Sequence, residues 1–226
     1  MKHYNLFTQL YKGARALLYD VALTLQQTDF AVAAETQATL ENMQQALHLF
    51  NGYAWMEEKY VVPALKRYVP EAPAIFKGSS EINAGLSLQL KGLLQLHKQA
   101  TSPRNMQDAG DAITRAYTAF LASKLEHLAK KESILGSVLQ MHYTEREVKL
   151  FQQNILSALP PQHLVVYYRW IVRGTNNAEI IEWLKNVEQT GSIRLMDLIL
   201  QMVEQELPTE RWKNILDRMA EGKVVG

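Results

Sequence analysis

Apolar residues recur at three- and four-residue intervals along nearly the whole of this chain, and nowhere do they settle into the alternation of a half-buried strand. That periodicity confines the chain to helices packed on helices. A stripe repeating every ~3.6 residues covers one face of a helix, whereas a period of two covers one face of a strand. Hairpin signals, such as Asn-Gly between alternating runs, are missing as well. The expected fold class is therefore all-α. With 226 residues, 47% of them hydrophobic, the chain is long enough to bury a substantial core.

Punctuation divides the pattern into segments. A first helix is expected from Asn5 to Gln27, with Phe7, Leu10, Tyr11, Ala14, Leu17, Val21 and Leu25 on one stripe. A second begins between Asp29 and Thr36 and ends near Tyr68, where Pro70 and Pro73 forbid continuation, and Pro63 should bend its last turns. Ser79 or Ser80 is expected to cap a third helix running to Gln99, and Ser102 followed by Pro103 opens a fourth reaching toward His142. Four long antiparallel helices with short connections make a four-helix bundle, expected over residues 1–143. From 144 to 226 the helices shorten, as in a smaller C-terminal helical subdomain. Thr144 with Glu147 fits a capping box, Pro160 and Pro161 start a helix that stops at Gly174, Gly191 and Ser192 divide the next two, and Pro208 opens the last. Tyr167, Tyr168, Trp170, Trp183 and Trp212 supply this region with aromatic core.

Composition excludes several classes of function. A formal net charge of +1 without runs of like charge gives no reason to expect nucleic acid or an anionic membrane as partner. The absence of cysteine removes disulfides, thiolate catalysis and cysteine-bound zinc or iron-sulfur sites. No leader-like segment and no apolar run approaching the ~18 residues of a membrane span is visible, so the cytoplasm is the expected compartment. Gly-x-Ser-x-Gly, a phosphate-cradling glycine loop, His-Glu-x-x-His and a two-carboxylate signature are all missing, which argues against an enzyme.

What remains unusual lies inside the stripes. On the second helix Ala46, Phe50, Tyr53, Glu57, Tyr60 and Ala64 share a face, so a carboxylate interrupts an apolar and aromatic seam. On the fourth, Ile113, Tyr117, Phe120, Lys124, His127, Lys131, Ile134 and Val138 keep register, with three basic or imidazole side chains mid-stripe. A competing stripe through Leu121, Leu125, Leu128 and Leu135 would put His127 and Lys131 at the edge of the core, facing solvent. Periodicity leaves both readings open.

The segment Phe120 to Leu135, followed by Tyr143 to Glu147 and by the Pro160-Pro161 helix with Tyr168-Arg169-Trp170, resembles the bacterial hemerythrin-like family with a C-terminal helical extension. Tyr11 to Asp20 and Glu57 to Leu65 resemble that family's first and second helices. The resemblance implies a non-haem di-iron centre held by histidines and carboxylates from four helices, with His-x-x-x-Glu on the second and fourth. Such a spacing brings imidazole and carboxylate to one helix face. Carried over residue by residue, the first-helix histidine falls on Tyr11, the second-helix pair on Tyr53 and Glu57, the third-helix histidine on Ile82 or Asn83, and the fourth-helix pair on His127 and Lys131.

Only Glu57 and His127 survive of that set, so no metal and no cofactor is expected; were a metal present, those two would be its ligands. Lys131 is expected to put its ammonium where iron would sit and to pair with Glu57, with Tyr53 or Tyr11 supplying hydroxyl hydrogen bonds. His3, His48, His97, His142 and His163 are too scattered to replace the lost ligands. The expected function is a non-enzymatic binding or interaction module for a protein partner or small ligand. The alternative is a working non-haem iron protein that binds or senses oxygen or a related small ligand, with Glu58, Glu81, Glu126 or Glu132 recruited as ligands.

Overall fold

A computed structural model describes residues 6–159, 161–189 and 192–224. Among them all regular structure is helical, with no strand. None of these helices is long and apolar enough to cross a membrane. Asn5, His3, Pro160 and Gly191, which figured in the sequence reading, lie outside the described residues.

The chain forms two compact units: Leu17–Ile155, and Met1–Ala16 together with Leu156–Gly226. Helix α1 (Leu6–Gln27) contributes its first turns to the unit containing the C-terminal helices. The physical reason is a backbone-to-backbone approach that only glycine permits. A Cβ on Gly174 would stand 2.5 Å from the carbonyl oxygen of Lys12, and one on Gly13 would stand 2.9 Å from the amide nitrogen of Ile171. Lys12 and Glu179 form an ion pair beside this contact.

In the larger unit, α2 (Ala33–Met56) continues into a five-residue π turn (Glu57–Val61) and a short α3 (Val62–Lys66). Pro63 lies at the start of α3, and the bend expected of it takes the form of this wider turn just upstream. The extra residue shifts the inward face by one. Ala46, Phe50, Tyr53 and Glu57 are buried as expected, but Val61 and Leu65 then take the inward places expected of Tyr60 and Ala64. Helix α4 (Ala72–Gln99) starts well before the serines expected to cap it. Pro73 opens the helix from its first turn, where a missing N–H costs nothing, and Ser79 lies within the helix, fully buried.

The three residues between α4 and α5 (Pro103–His142) fold the two helices back along each other. Ser102 caps α5 by accepting from the Asn105 amide at 3.2 Å. On α5 both competing stripes contribute: Tyr117, Phe120, Lys124, Lys131 and Val138 are buried, and so are Leu128 and Leu135. The lysines are inside, while His127 is half-buried. At the start of α6 (Glu145–Ala158) Thr144 and Glu147 form the reciprocal capping box, with bonds of 2.8 and 3.3 Å.

The other unit is built from α7 (Pro161–Gly174), α8 (Asn177–Gln189), α9 (Ile193–Glu206) and α10 (Thr209–Val224) besides the start of α1. Tyr167, Tyr168, Trp170 and Trp183 are buried in it, and Trp212 is half-buried. The rings of Tyr168 and Trp183 meet edge to face at 5.0 Å.

Candidate functional site

Two lysines buried on one face of α5 define the polar interior of the larger unit. Lys131 is 1% exposed and Lys124 2%. Burying an ammonium is costly unless other groups replace its water, so the partners of each lysine carry the explanation.

Lys131 donates to Glu57 Oε2 at 2.5 Å and to Ser79 Oγ at 2.8 Å. The carboxylate comes from the π turn and the hydroxyl from α4, so one ammonium joins three helical segments. Its charge also lies 5.4 Å from the ring centre of Phe76. Ser79 Oγ is 3.1 Å from His127 Nδ1, and His127 Nε2 is 2.6 Å from the carbonyl oxygen of Ile75. A carbonyl can only accept, so Nε2 carries the proton. Burial, opposed by the bond to Ile75 and reinforced by the two lysine charges, holds the imidazole below its ordinary pKa, which keeps the ring neutral at pH 7. The remaining directions follow. Lys131 donates to Ser79, the Ser79 hydroxyl donates to Nδ1, and Nε2–H donates to the Ile75 carbonyl. Gly78 permits the last bond, since a Cβ there would meet His127 Nε2 at 3.1 Å.

Lys124 has no comparable arrangement. It donates to Asn83 Oδ1 at 2.8 Å, and Asn83 Nδ2 donates to Asn51 Oδ1 at 3.0 Å. The Lys124 ammonium lies 5.4 Å from the centre of the Phe50 ring. Burial first, then the charge of Lys131, pushes the Lys124 pKa down to about 7, against the opposing influence of Glu57.

Glu57, His127 and Lys131 come together, and Asn83 is inside with them while Ile82 is half-buried. Tyr53 is buried on the same face as Glu57, its ring 6.5 Å from that of Phe50. Tyr11 is buried in the unit that holds the C-terminal helices, and the bonds given above are made without it. Ser79, Asn51, Gly78 and the backbone of Ile75 were not singled out in the sequence as members of a site. Ser79 had a recoverable signal, for it stands one helical turn before Asn83 and so shares its face. Asn51 had none, lying beside Phe50 on the exposed flank of α2.

The donor set does not suit a di-iron centre. An ammonium occupies Glu57 Oε2, and both nitrogens of His127 are committed within the protein. Among the described residues no three His, Cys, Asp or Glu side chains gather as a metal site requires. Of the substitute carboxylates, Glu58 accepts from Ser80 on the exposed side, Glu81 pairs with Lys77 at the surface, Glu126 is exposed and Glu132 is half-buried. His97 donates to the Phe30 carbonyl at 3.1 Å, His142 stacks on Tyr68 with ring centres 3.9 Å apart, and His48 is exposed. No family model matches this chain, and no curated protein and no solved structure matches it either.

Proposed function

We propose that this chain is a hemerythrin-like four-helix bundle with a C-terminal helical extension, that a lysine–glutamate pair has taken over its metal pocket, and that it works as a non-enzymatic binding or interaction module. The observation that supports this reading is the Lys131–Glu57 ion pair, 2.5 Å across and buried at both ends. The two residues fall on the positions that the family resemblance gives to a metal-binding glutamate on the fourth helix and another on the second. A cation is thus retained at the place of a cation, as a covalently attached ammonium. A pair of this kind adds little net stability over an apolar filling, yet it fixes which helix faces meet, because either charge alone is strongly disfavoured.

Restoring the ligands tests the proposal. Tyr11→His, Tyr53→His and Lys131→Glu combined with Asn83→His should confer stoichiometric iron binding, read by elemental analysis and by oxo-bridged absorption in the visible spectrum. An intact helical fold that takes up no iron, with Ile82→His tried in place of Asn83→His, would refute the assigned registers.

A further inference from the structure

Where α2 runs into its π turn, two aromatic rings stand almost square to each other. Trp55 and Tyr60 have ring centres 6.0 Å apart and planes 83° apart. Trp55 is 47% exposed and Tyr60 is half-buried, so the corner between them lies at the surface.

The corner is a product of the π turn. Five residues along an ordinary α-helix, Tyr60 would stand about 140° around the axis from Trp55, too far for the rings to meet. The turn closes instead with the Val62 amide on the carbonyl of Glu57, five residues back, and so holds more residues than an α turn. Lys59 and Tyr60, the fourth and fifth residues after Trp55, therefore both return to its side. The extra residue that took Tyr60 out of the inward face is the one that put its ring against Trp55.

A cation already sits in the corner. The Lys59 ammonium lies 4.7 Å from the centre of the Trp55 ring and 5.1 Å from that of Tyr60. Its neighbour Glu58 turns to Ser80 instead, accepting from Oγ at 2.8 Å. Ring faces attract a positive charge without offering it a hydrogen-bond acceptor of full strength. They therefore suit a cation with no N–H to satisfy better than a primary ammonium, which gives up hydrogen bonds to water on approaching them. Lys59 is exposed and reaches the corner on a flexible stem, so it can swing clear.

We propose that the Trp55–Tyr60 corner is a binding site for a quaternary ammonium group of the choline type, with Lys59 as its intramolecular stand-in. A primary amine carries the same charge but is held more strongly by water, and a neutral molecule of the same shape lacks the charge that the rings attract. The corner stands whether or not Lys131 occupies the place of a metal.

The test titrates the full chain with choline and with its neutral carbon isostere, dimethylbutanol, at constant ionic strength, following the Trp55 indole N–H by 15N NMR. Two surface rings give weak binding, so choline should saturate the signal with a Kd on the order of 10 mM, and the alcohol should bind at least ~5-fold more weakly. Lys59→Gln, a surface change that vacates the corner, should tighten choline binding by ~3-fold or more. Trp55→Leu should abolish it, with the Tyr60 amide as reporter. Cosedimentation with phosphatidylcholine vesicles, lost in Trp55→Leu, would assign the group to a lipid surface, and choline binding without cosedimentation would assign it to a free solute. Equal binding of the alcohol, choline binding that survives Trp55→Leu, or no saturable binding by Lys59→Gln at about ten times that Kd would overturn the assignment.

Discussion

Lys131 and Lys124 stand on one face of the same helix, equally hidden from water, yet the protein treats them differently. Lys131 has a carboxylate, a hydroxyl and an aromatic face. Lys124 has an amide oxygen and an aromatic face, and its pKa falls to about 7. The difference lies in the partners that replace the water each ammonium has lost. A full negative charge in contact supports an ammonium that a neutral dipole supports only partly. One lysine thereby becomes a structural tie between helices, and the other a weakly supported charge.

The largest effect expected from this contrast is on the ion pair. Lys131→Met and Glu57→Gln should each lower stability by about 3 to 5 kcal/mol, because each strands a buried charge. The double variant should cost clearly less than the sum, and urea denaturation of all four proteins gives the coupling directly. Additive losses would show that the pair is not an energetic unit.

Next comes the pH dependence set by Lys124. Its folded pKa, about 7, lies below the ordinary lysine value of 10.5 that the unfolded chain retains. Between those values the unfolded chain binds one more proton than the folded one, so stability rises with pH across that window. From pH 7 to about 9.5 this contributes about 3 kcal/mol, at ~1.36 kcal/mol per pH unit. Lys124→Met should flatten that rise, seen as denaturation midpoints that no longer climb between neutral and mildly alkaline pH. An unchanged slope would place the titration elsewhere.

A glycine comparison gives the smallest effect. Gly85 and Gly92 have open space where a Cβ would stand, so Gly85→Ala and Gly92→Ala should each stabilise α4 by about 0.5 to 1 kcal/mol. At Gly78 the new methyl meets the His127 ring, so Gly78→Ala should forfeit that gain through the Ile75 bond. Thermal melting of the three variants separates them, and equal gains at all three positions would mean that His127 does not press on α4.

Much of this architecture could be read from residues. Ser102 before Pro103, Thr144 with Glu147, and Pro161 with Gly174 marked helix ends, because capping chemistry is local and does not depend on the rest of the fold. Pro73 misled because one residue type both ends helices and begins them, and only the packing that follows says which. The π turn was invisible for a related reason. Its extra residue follows from a backbone arrangement upstream of Pro63, and it moved the inward face from Tyr60 and Ala64 to Val61 and Leu65. The partnership of Glu57 and Lys131 could be anticipated, since two isolated charges in apolar stripes need each other. Ser79 and the Ile75 carbonyl required knowing where α4 begins.

Elemental analysis of the native, untagged protein for iron, manganese and zinc, purified without chelators, tests most directly whether an ammonium has replaced a metal. No transition metal is expected at a stoichiometric level, because Lys131 already holds the carboxylate a metal would need. One or two metal ions per chain, retained through purification and lost in Glu57→Gln, would contradict it.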